Sequence, residues 1–251
     1  MKKKWFESWF DTEYYHLLYK HRDDEEAQCF IKNIIQAHHI SSSANVLDLA
    51  CGKGRHAAVL SQYCGDVLGV DLSSNSILEA QKKYGSISNL KFGIHDMRNI
   101  VAVNYFDAVF NLFTSFGYFE RHTDNDKVLR AVATALAEEG LLILDYINTE
   151  YAIKHLVPYD CKIIEGKLFT QNRYVSSGCI IKDITVEDGD ILHSFRESVQ
   201  LLDASYFREA IPKYGLNILA EYGDYSLGNF DVENSRRYIV VAKKNSGEQP
   251  R

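Results

Sequence analysis

The stretch VLDLACGKGRHA, residues 46–57, carries the sequence pattern that most clearly indicates the fold. Its first four residues are apolar except for Asp48 and predict a buried strand. Gly52 and Gly54 then predict a tight turn whose backbone can approach a ligand closely. A helix is predicted from Arg55 onward, with its N-terminus facing that ligand. A strand followed by a glycine turn and a helix is typical of ligand-binding α/β sheets.

Short apolar strands and amphipathic helices alternate along the chain after this stretch. Helices are predicted at 55–63, 73–84 and 126–137, and strands at 66–70, 90–94, 106–112 and 141–145. This alternation predicts a parallel sheet that is covered by helices on both faces. In the first forty residues, Asp11 and Asp23 are each predicted to cap a helix.

The pattern changes after Tyr151. From 161 to 201 apolar and polar residues alternate, with turn residues at 176–178 and at Asp188-Gly189. An Asp-Gly pair between alternating segments is a strong signal for a hairpin. The segment therefore predicts an antiparallel insert of three or four strands. A helix at 204–213 and strands at 216–222 and 237–242 are predicted to complete the fold.

Composition and charge narrow the classes of function. Of the 251 residues, 46% are hydrophobic and 25% are charged, and these values are ordinary for a globular protein. The net charge of −6 disfavours a nucleic-acid partner, because phosphate binding needs a basic surface. No apolar run predicts a membrane span or a signal-peptide core, so a cytoplasmic location is expected. The cysteines and histidines show no ligand spacing, so no metal is predicted.

Three successive predicted strands carry an acid at or just after their carboxyl ends: Asp48, Asp71 and Asp96. Open α/β sheets bind their ligands at this edge. The carboxylate of Asp48 would repel a pyrophosphate, but it suits a ligand that carries positive charge. The three acids therefore favour a cationic ligand over a dinucleotide.

A dinucleotide-dependent oxidoreductase stays an alternative at this point. Gly52, Gly54 and Ala57 satisfy the dinucleotide fingerprint, and Asp71 stands at the distance expected for the acid that binds the ribose. The YxxxK pair of short-chain dehydrogenases is missing from the sequence.

These motifs resemble those of the class I S-adenosylmethionine-dependent methyltransferases. Residues 48–54 resemble the glycine-rich first motif, 69–73 the ribose motif, 95–97 the adenine-contacting motif, 106–111 the fourth strand and 136–142 the loop into the fifth strand. The motifs cover residues 45–148 in the order found in the family. The resemblance implies a Rossmann-like doubly wound α/β fold whose seven-stranded sheet has its last strand antiparallel.

The resemblance also implies S-adenosylmethionine as the cofactor and S-adenosylhomocysteine as its product. Asp71 would accept hydrogen bonds from both ribose hydroxyls, Asp96 would accept one from the adenine amino group, and Asp48 would orient the methionine end. Arg22, with Tyr15 or Tyr19, would bind the methionine carboxylate. The complete set of expected cofactor-binding residues is Tyr15, Tyr19, Arg22, Asp48, Ala50, Cys51, Gly52, Gly54, Asp71, Leu72, Asp96, Met97, Asn111 and Phe113.

A narrower resemblance links the chain to bacterial small-molecule N-methyltransferases, including deoxysugar N,N-dimethyltransferases. Residues 15–23, 97–99 and 115–118 and the antiparallel insert carry it. It implies that residues 1–40 form a helical lid, 41–155 the cofactor-binding core, 156–202 an insert over the substrate, and 203–251 the last helix and strands. Tyr118 stands where the sugar enzymes tend to have a histidine, so their catalytic residue is not transferred to this chain.

The acceptor is expected after the fourth and fifth strands. Tyr118 is the catalytic candidate, and it joins Asp145, Tyr146 and Asn148 as candidates for binding a small-molecule acceptor. An amine acceptor needs chiefly alignment with the methyl group, whereas a hydroxyl would usually need a base as well. N-methylation is therefore favoured over O-methylation. A cofactor-binding scaffold without turnover remains an alternative, and the edge strands of the insert could pair two subunits as a homodimer.

Overall fold

The computed structural model describes residues 4–20 and 24–246. The strands in this part of the chain are β1 Asn45–Leu49, β2 Asp66–Asp71, β3 Leu90–Ile94, β4 Phe106–Asn111, β5 Leu136–Ile147, β6 Tyr159–Ile164, β7 Lys167–Ser176, β8 Cys179–Asp188, β9 Ile191–Gln200, β10 Leu216–Tyr222 and β11 Arg237–Lys244. The α-helices are α1 Trp5–Trp9, α2 Glu13–Leu18, α3 Asp24–Ala37, α4 Arg55–Leu60, α5 Ser74–Tyr84, α6 His122–Ala135, α7 Thr149–Lys154 and α8 Ala204–Ala210.

Seven strands form the main sheet in the order β10-β11-β5-β4-β1-β2-β3. Strands β1 to β5 pair in parallel, and β11 runs antiparallel to both β5 and β10. This topology confirms the predicted Rossmann-like α/β fold with an antiparallel last strand. The parallel strands end at one edge of the sheet, and the loops that follow them meet there.

The sheet is buried on both faces, as its nearly continuous apolar strands require. Alternate residues of a strand enter different cores, so Val46 packs on one face and Leu47 on the other. The face of Val46 is covered by α3 and α4, and the face of Leu47 by α6 and α8. With apolar side chains on both faces, the carboxyl edge is the place where polar side chains of these strands can reach a ligand.

Several predicted boundaries and one predicted cap were wrong. Helix α6 begins at His122 and ends at Ala135, because Leu136 takes extended dihedral angles and starts β5 five residues before the expected position. Thr12 caps α2 in place of Asp11, since its hydroxyl accepts a hydrogen bond from the Tyr15 N–H at 3.2 Å. The cap predicted at Asp23 lies outside the described residues.

The insert is an antiparallel sheet of four strands, β6 to β9. Two-residue turns join its strands at Glu165-Gly166, Ser177-Gly178 and Gly189-Asp190, and both residues of the first two turns have positive φ. Such turns match the twist of the strands that they connect. The edge strands of this sheet are β6 and β9, and pairing of two subunits through them stays a prediction.

Helices α1 and α2 pack against the insert, although more than 130 residues of the chain separate them from it. Trp9, Tyr14 and Leu18 form one buried cluster with Phe169 and Ile184 of the insert. Polar contacts join the same surfaces: the Trp9 Nε1 donates to Glu197 at 2.7 Å, and the Tyr14 hydroxyl donates to Asp188 at 3.0 Å. The helices and the insert therefore share one core.

The glycine turn after β1 gives a first testable prediction. Gly54 and Gly166 both have φ +78°, but a Cβ on Gly54 would lie 2.5 Å from the Phe92 ring, whereas one on Gly166 would meet nothing within 4 Å. Both alanine variants carry the cost of a left-handed residue, about 1–2 kcal/mol. We expect Gly54→Ala to lower the free energy of unfolding by a further ~1–3 kcal/mol, because its side chain overpacks the turn.

Urea denaturation of the two variants measures this difference, with Gly166→Ala as the matched control. Equal losses of stability in both variants would show that Phe92 moves aside freely and that the close approach at Gly54 imposes no constraint.

Candidate active site

A cavity of about 710 Å³ opens at the carboxyl edge of the parallel strands. This volume falls within the range of sites for small molecules and cofactors. The side chains of Asp48, Asp71 and Asp96 all line it. The structure therefore brings together the three acids that the sequence placed at or near the ends of β1, β2 and β3. Other expected cofactor residues that line the cavity are Tyr15, Tyr19, Ala50, Cys51, Gly52, Leu72, Met97 and Phe113.

The floor of the cavity is the turn between β1 and α4. Ala50, Gly52 and Gly54 have φ of 65°, 55° and 78°, and the Cys51 N–H donates to the carbonyl oxygen of Val70 at 2.9 Å. A residue in this region of φ rarely carries a side chain, so the glycines fit the conformation. Gly54 is not part of the cavity wall, and it acts by letting α4 pack closely on Phe92.

Asp71 is held in a fixed orientation by the backbone. Its two carboxylate oxygens accept hydrogen bonds from the N–H groups of Gly52 and Ser73, each at 2.8 Å. Burial raises the pKa of Asp71, while these backbone groups act to lower it. A carboxylate has about four lone-pair sites, so Asp71 keeps acceptor capacity beyond its backbone hydrogen bonds. It can therefore bind a diol in the cavity.

Asp48 is a buried carboxylate that is incompletely satisfied. It is 1% exposed, and its Oδ2 has no hydrogen-bond partner among the described residues. Burial raises the pKa of Asp48 to about 7, Asp71 adds to this rise, and Arg55 opposes it. An unsatisfied buried acceptor is costly. A cationic donor in the cavity would satisfy Asp48 and stabilise its charged form.

Asp96 is held by its neighbour Arg98. The Nε of Arg98 lies 3.0 and 3.1 Å from the two carboxylate oxygens, and its backbone N–H donates to Oδ1 at 3.0 Å. Burial acts to raise the pKa of Asp96, but the Arg98 hydrogen bonds outweigh it and the pKa is lowered. Asp96 is thus a fixed anionic acceptor, with Met97 beside it in the cavity wall.

Helices α1 and α2 and the residues next to them, here called the lid, form one wall of the cavity. Phe10 stacks edge-on against Tyr15 at 4.9 Å between ring centroids, and Tyr15 lies 5.0 Å from Tyr19. Asp11 accepts a hydrogen bond from the Ser73 hydroxyl at 2.7 Å, two residues after Asp71. The lid is therefore joined by a hydrogen bond to the loop that follows Asp71. Arg22, predicted to bind the methionine carboxylate, lies outside the described residues.

Aromatic rings form the wall near the end of β4. Tyr118 lies 5.4 Å from the Trp5 ring and 5.1 Å from the Phe10 ring, measured between centroids. Phe113, Ser115 and Phe119 line the cavity on the same side. This wall can pack against the apolar surface of a small molecule and exclude water.

Three of the expected acceptor residues do not reach the cavity. Asp145 forms an ion pair with Arg237 at 2.7 Å, the Tyr146 hydroxyl donates to the carbonyl oxygen of Gln200 at 2.6 Å, and the Asn148 amide donates to two carbonyl oxygens at 2.8 Å each. The three side chains are buried because β5 and the residue that follows it are covered on both faces. We correct their expected role from acceptor contact to structural support.

Asn111 is also buried away from the cavity. Its Nδ2 donates to the Leu49 carbonyl oxygen at 2.9 Å and so joins the carboxyl ends of β4 and β1. Sequence reasoning missed other cavity residues, including Phe6 and Phe10 of the lid. Their i, i+4 spacing is a helical signal that marks one shared face. Asp11 was misread as a cap, since only the folded chain shows Ser73 opposite it.

No group of three or more His, Cys, Asp or Glu side chains in residues 4–20 and 24–246 could hold a metal ion. Within the same ranges, no helix is long and apolar enough to cross a membrane.

A family model described as Methyltransferase domain matches residues 40–200. The chain belongs to this family. The assignment confirms the resemblance carried by the motifs, and the predicted cofactor agrees with it. The match covers the cofactor-binding edge of the sheet together with the whole insert.

Three relatives and one solved structure show how far the similarity extends. A putative methyltransferase of Bacillus subtilis strain 168 is 31% identical over 120 residues, 47% of this chain and 48% of its own length. A glycine/sarcosine N-methyltransferase of Aphanothece halophytica is 26% identical over 89% of this chain and 83% of its own. A dTDP-3-amino-3,4,6-trideoxy-alpha-D-glucopyranose N,N-dimethyltransferase of Streptomyces venezuelae is 26% identical over 69% of this chain and 65% of its own length. The solved structure of an S-adenosylmethionine-dependent methyltransferase from Clostridium acetobutylicum ATCC 824 shares the fold, with a TM-score of 0.79 and 20% identity. The similarity covers 93% of this chain and 96% of that one.

The raised pKa of Asp48 gives a second prediction. In the unfolded chain an aspartate has a pKa of about 3.9, against about 7 in the folded protein. The folded state therefore binds the Asp48 proton more tightly than the unfolded chain does. This contribution to the free energy of unfolding is fully present below about pH 3.9, decreases as the pH rises, and is lost above about pH 7. We expect the stability of the ligand-free protein to fall by about 2 kcal/mol between pH 5 and 7, relative to Asp48→Asn.

Urea unfolding at both pH values, for the wild type and for Asp48→Asn, measures this linkage. The asparagine variant has no charge to bury, so it serves as the reference for all other titrating groups. Parallel pH profiles of the two proteins would contradict the assignment of a raised pKa to Asp48.

Proposed function

We propose that this protein transfers a methyl group from S-adenosylmethionine to the nitrogen of a small-molecule acceptor. One observation carries the proposal: three acids at or beside the ends of successive strands line one cavity, and one of them holds a buried, unsatisfied oxygen. S-adenosylmethionine offers a ribose diol, an adenine amino group and a cationic methionine end. These groups match the acceptors that the cavity presents.

The roles of the acids follow from their surroundings. Asp71, fixed by the backbone N–H groups of Gly52 and Ser73, would accept from the ribose hydroxyls. Asp96 would accept from the adenine amino group, with Met97 against the ring. Asp48 would face the ammonium group, whose positive charge stabilises the ionised carboxylate. Tyr15 and Tyr19 would close over the methionine end, where a contact from Arg22 stays a prediction.

The acceptor would bind on the aromatic side of the cavity. When bound, the cofactor supplies an electrophilic methyl group on a sulfonium ion. The protein's contribution is to hold a neutral amine in line with that methyl group and to keep water away. Tyr118, packed between Trp5 and Phe10, is the side chain proposed to touch the acceptor. Relatives named for glycine, sarcosine and amino-sugar substrates support nitrogen as the acceptor atom.

Replacement of Asp71 tests the cofactor. Asp71→Ala removes two charge-assisted hydrogen bonds to the ribose, so we expect affinity for S-adenosylmethionine and S-adenosylhomocysteine to fall about 100-fold or more. Asp66→Ala is the matched control, because Asp66 is exposed at the opposite end of β2. Calorimetric titration of the wild type and both variants measures the affinities.

NADH belongs in the same titration, because the glycine turn also satisfies the dinucleotide fingerprint. Binding of NADH in place of S-adenosylmethionine would contradict the proposed cofactor. Equal affinity in Asp71→Ala and Asp66→Ala would show that Asp71 does not bind the ribose.

An acceptor panel tests the reaction. We expect methylation of at least one amine among glycine, sarcosine and a dTDP-linked 3-amino-6-deoxysugar, with a rate that rises with pH as the neutral amine becomes more abundant. Glycolate, in which a hydroxyl replaces the amine of glycine, is the matched control and should stay unmethylated. Mass spectrometry of the products, with S-adenosylhomocysteine quantified in parallel, measures the outcome.

Methylation of glycolate in place of glycine would contradict nitrogen as the acceptor atom. Binding of the cofactor without turnover of any amine in the panel would favour a scaffold that binds the cofactor without catalysis.

A further inference from the structure

The segment that carries the aromatic wall begins in an unusual backbone conformation. Phe113 and Thr114, which follow Leu112 just after β4, both have φ of 60°. Residues other than glycine rarely adopt this left-handed region, and β-branched threonine is especially disfavoured there. Such a conformation persists only where the surroundings enforce it. The neighbouring contacts therefore determine where Phe113 and the residues up to Tyr118 lie.

Asp145 supplies the first part of that enforcement. One of its carboxylate oxygens accepts a hydrogen bond from the Phe113 N–H at 2.8 Å, and its backbone carbonyl accepts one from the Thr114 N–H at 3.0 Å. The Asp145 side chain is buried, and the Tyr225 hydroxyl donates to the same carboxylate oxygen at 3.0 Å. A single residue of β5 thus accepts both N–H groups of the left-handed pair.

Arg237 supplies the second part from β11. Its Nε donates to the other carboxylate oxygen of Asp145 at 2.7 Å, and its Nη2 donates to the Thr114 hydroxyl at 2.9 Å. The guanidinium centre lies 5.8 Å from the centroid of the Phe113 ring, which lines the cavity. Arg237 therefore ties the Asp145 carboxylate to the Thr114 side chain and packs beside Phe113 itself.

The far end of the segment is held from the opposite face of β5. Gln200 donates from its backbone N–H to the Gly117 carbonyl oxygen at 2.9 Å and from its side chain to the Phe119 carbonyl oxygen at 2.8 Å. The Tyr146 hydroxyl in turn donates to the Gln200 carbonyl oxygen. Successive strand residues point to opposite faces, so Asp145 and Tyr146 support the two ends of one segment.

We propose that Asp145 and Arg237 are positioning residues for the methyl acceptor: they hold the left-handed start of the 113–118 segment and thereby place Phe113 and Tyr118 against it. The cofactor acids lie at β1, β2 and β3 and make no hydrogen bond or ion pair with this pair among the described contacts. Phe113 is the one expected cofactor residue within the 113–118 segment, so disturbing the pair should change acceptor turnover far more than cofactor affinity. The proposal rests on the proposed methyl transfer.

Two variants and a matched control separate these effects. Asp145→Asn removes the charge that Arg237 pairs with, and Arg237→Lys removes the forked geometry that joins Asp145 to Thr114. Asp183→Asn is the control, since Asp183 forms an Asp–Arg pair with Arg196 at 2.6 Å on the insert, where both side chains are partly exposed. The kcat and KM are measured with the amine of the panel that the wild type methylates best. Calorimetry measures the affinity for S-adenosylhomocysteine.

We expect kcat to fall about 10- to 100-fold in both variants, as small misplacements of reacting groups cause. The S-adenosylhomocysteine affinity should stay within about threefold of the wild type, and Asp183→Asn should change neither quantity, because exposed ion pairs contribute little. Loss of cofactor affinity in step with kcat would overturn the proposal, since it would indicate a general structural role.

A second substitution at Thr114 tests the mechanism of positioning. Glycine adopts φ near 60° without steric cost, so a chain with Thr114→Gly should depend less on Asp145 and Arg237 to hold this conformation. We expect Arg237→Lys combined with Thr114→Gly to recover most of the kcat lost in Arg237→Lys alone. If Arg237 instead contacts the acceptor directly, KM rises with kcat retained and Thr114→Gly gives no recovery, and that result overturns the proposal.

Hydrogen exchange gives a readout that needs no acceptor. The Phe113 amide should exchange about tenfold faster or more in Asp145→Asn, because its side-chain acceptor loses its charge and its ion pair with Arg237, whereas the Thr114 N–H keeps its backbone acceptor. Unchanged exchange at the Phe113 amide overturns the proposal even where no amine is methylated. Failure of the wild type to bind S-adenosylhomocysteine or to methylate any amine contradicts the proposed function instead, so the two failures are distinguishable.

Discussion

The carboxylate of Asp71 is the contact on which the arrangement of the cavity depends. It accepts the N–H of Gly52 in the turn after β1 and the N–H of Ser73 at the start of α5. The Ser73 hydroxyl then donates to Asp11 of the lid. One buried acid thus fixes the glycine turn, the next helix and the cover of the site relative to each other, while it keeps lone pairs for a ligand.

A partly buried ion pair joins the lid to the insert. Lys182 and Glu197 of the insert lie 2.6 Å apart, and Glu197 also accepts hydrogen bonds from Trp9 and Tyr19 of the lid at 2.7 Å each. Burial acts to raise the pKa of Glu197, but Lys182 outweighs it and the pKa is lowered. Because Tyr19 also lines the cavity, the lid and the insert are expected to respond together to a ligand.

The acceptor side of the cavity is supported by buried residues of β5. Residues at the end of β5 were expected to touch the acceptor, because strand ends meet at the binding edge. In the folded chain Asp145 and Tyr146 are buried in the support of the loop that follows β4. The side chains that face the cavity come from that loop, and β5 determines where the loop lies.

The parallel sheet, the glycine turn and the three acids could be predicted from the amino-acid sequence, because each is a local pattern of burial, backbone conformation or charge at a strand end. It also indicated the hairpins of the insert through turn residues such as Gly189. It misplaced Asp11, Asp145 and Tyr146, whose roles depend on partners 54 to 92 residues away in the chain: Ser73, Arg237 and Gln200. Local patterns indicate whether a side chain is buried or polar, but the distant group that satisfies a buried polar atom is brought to it by the folding of the whole chain.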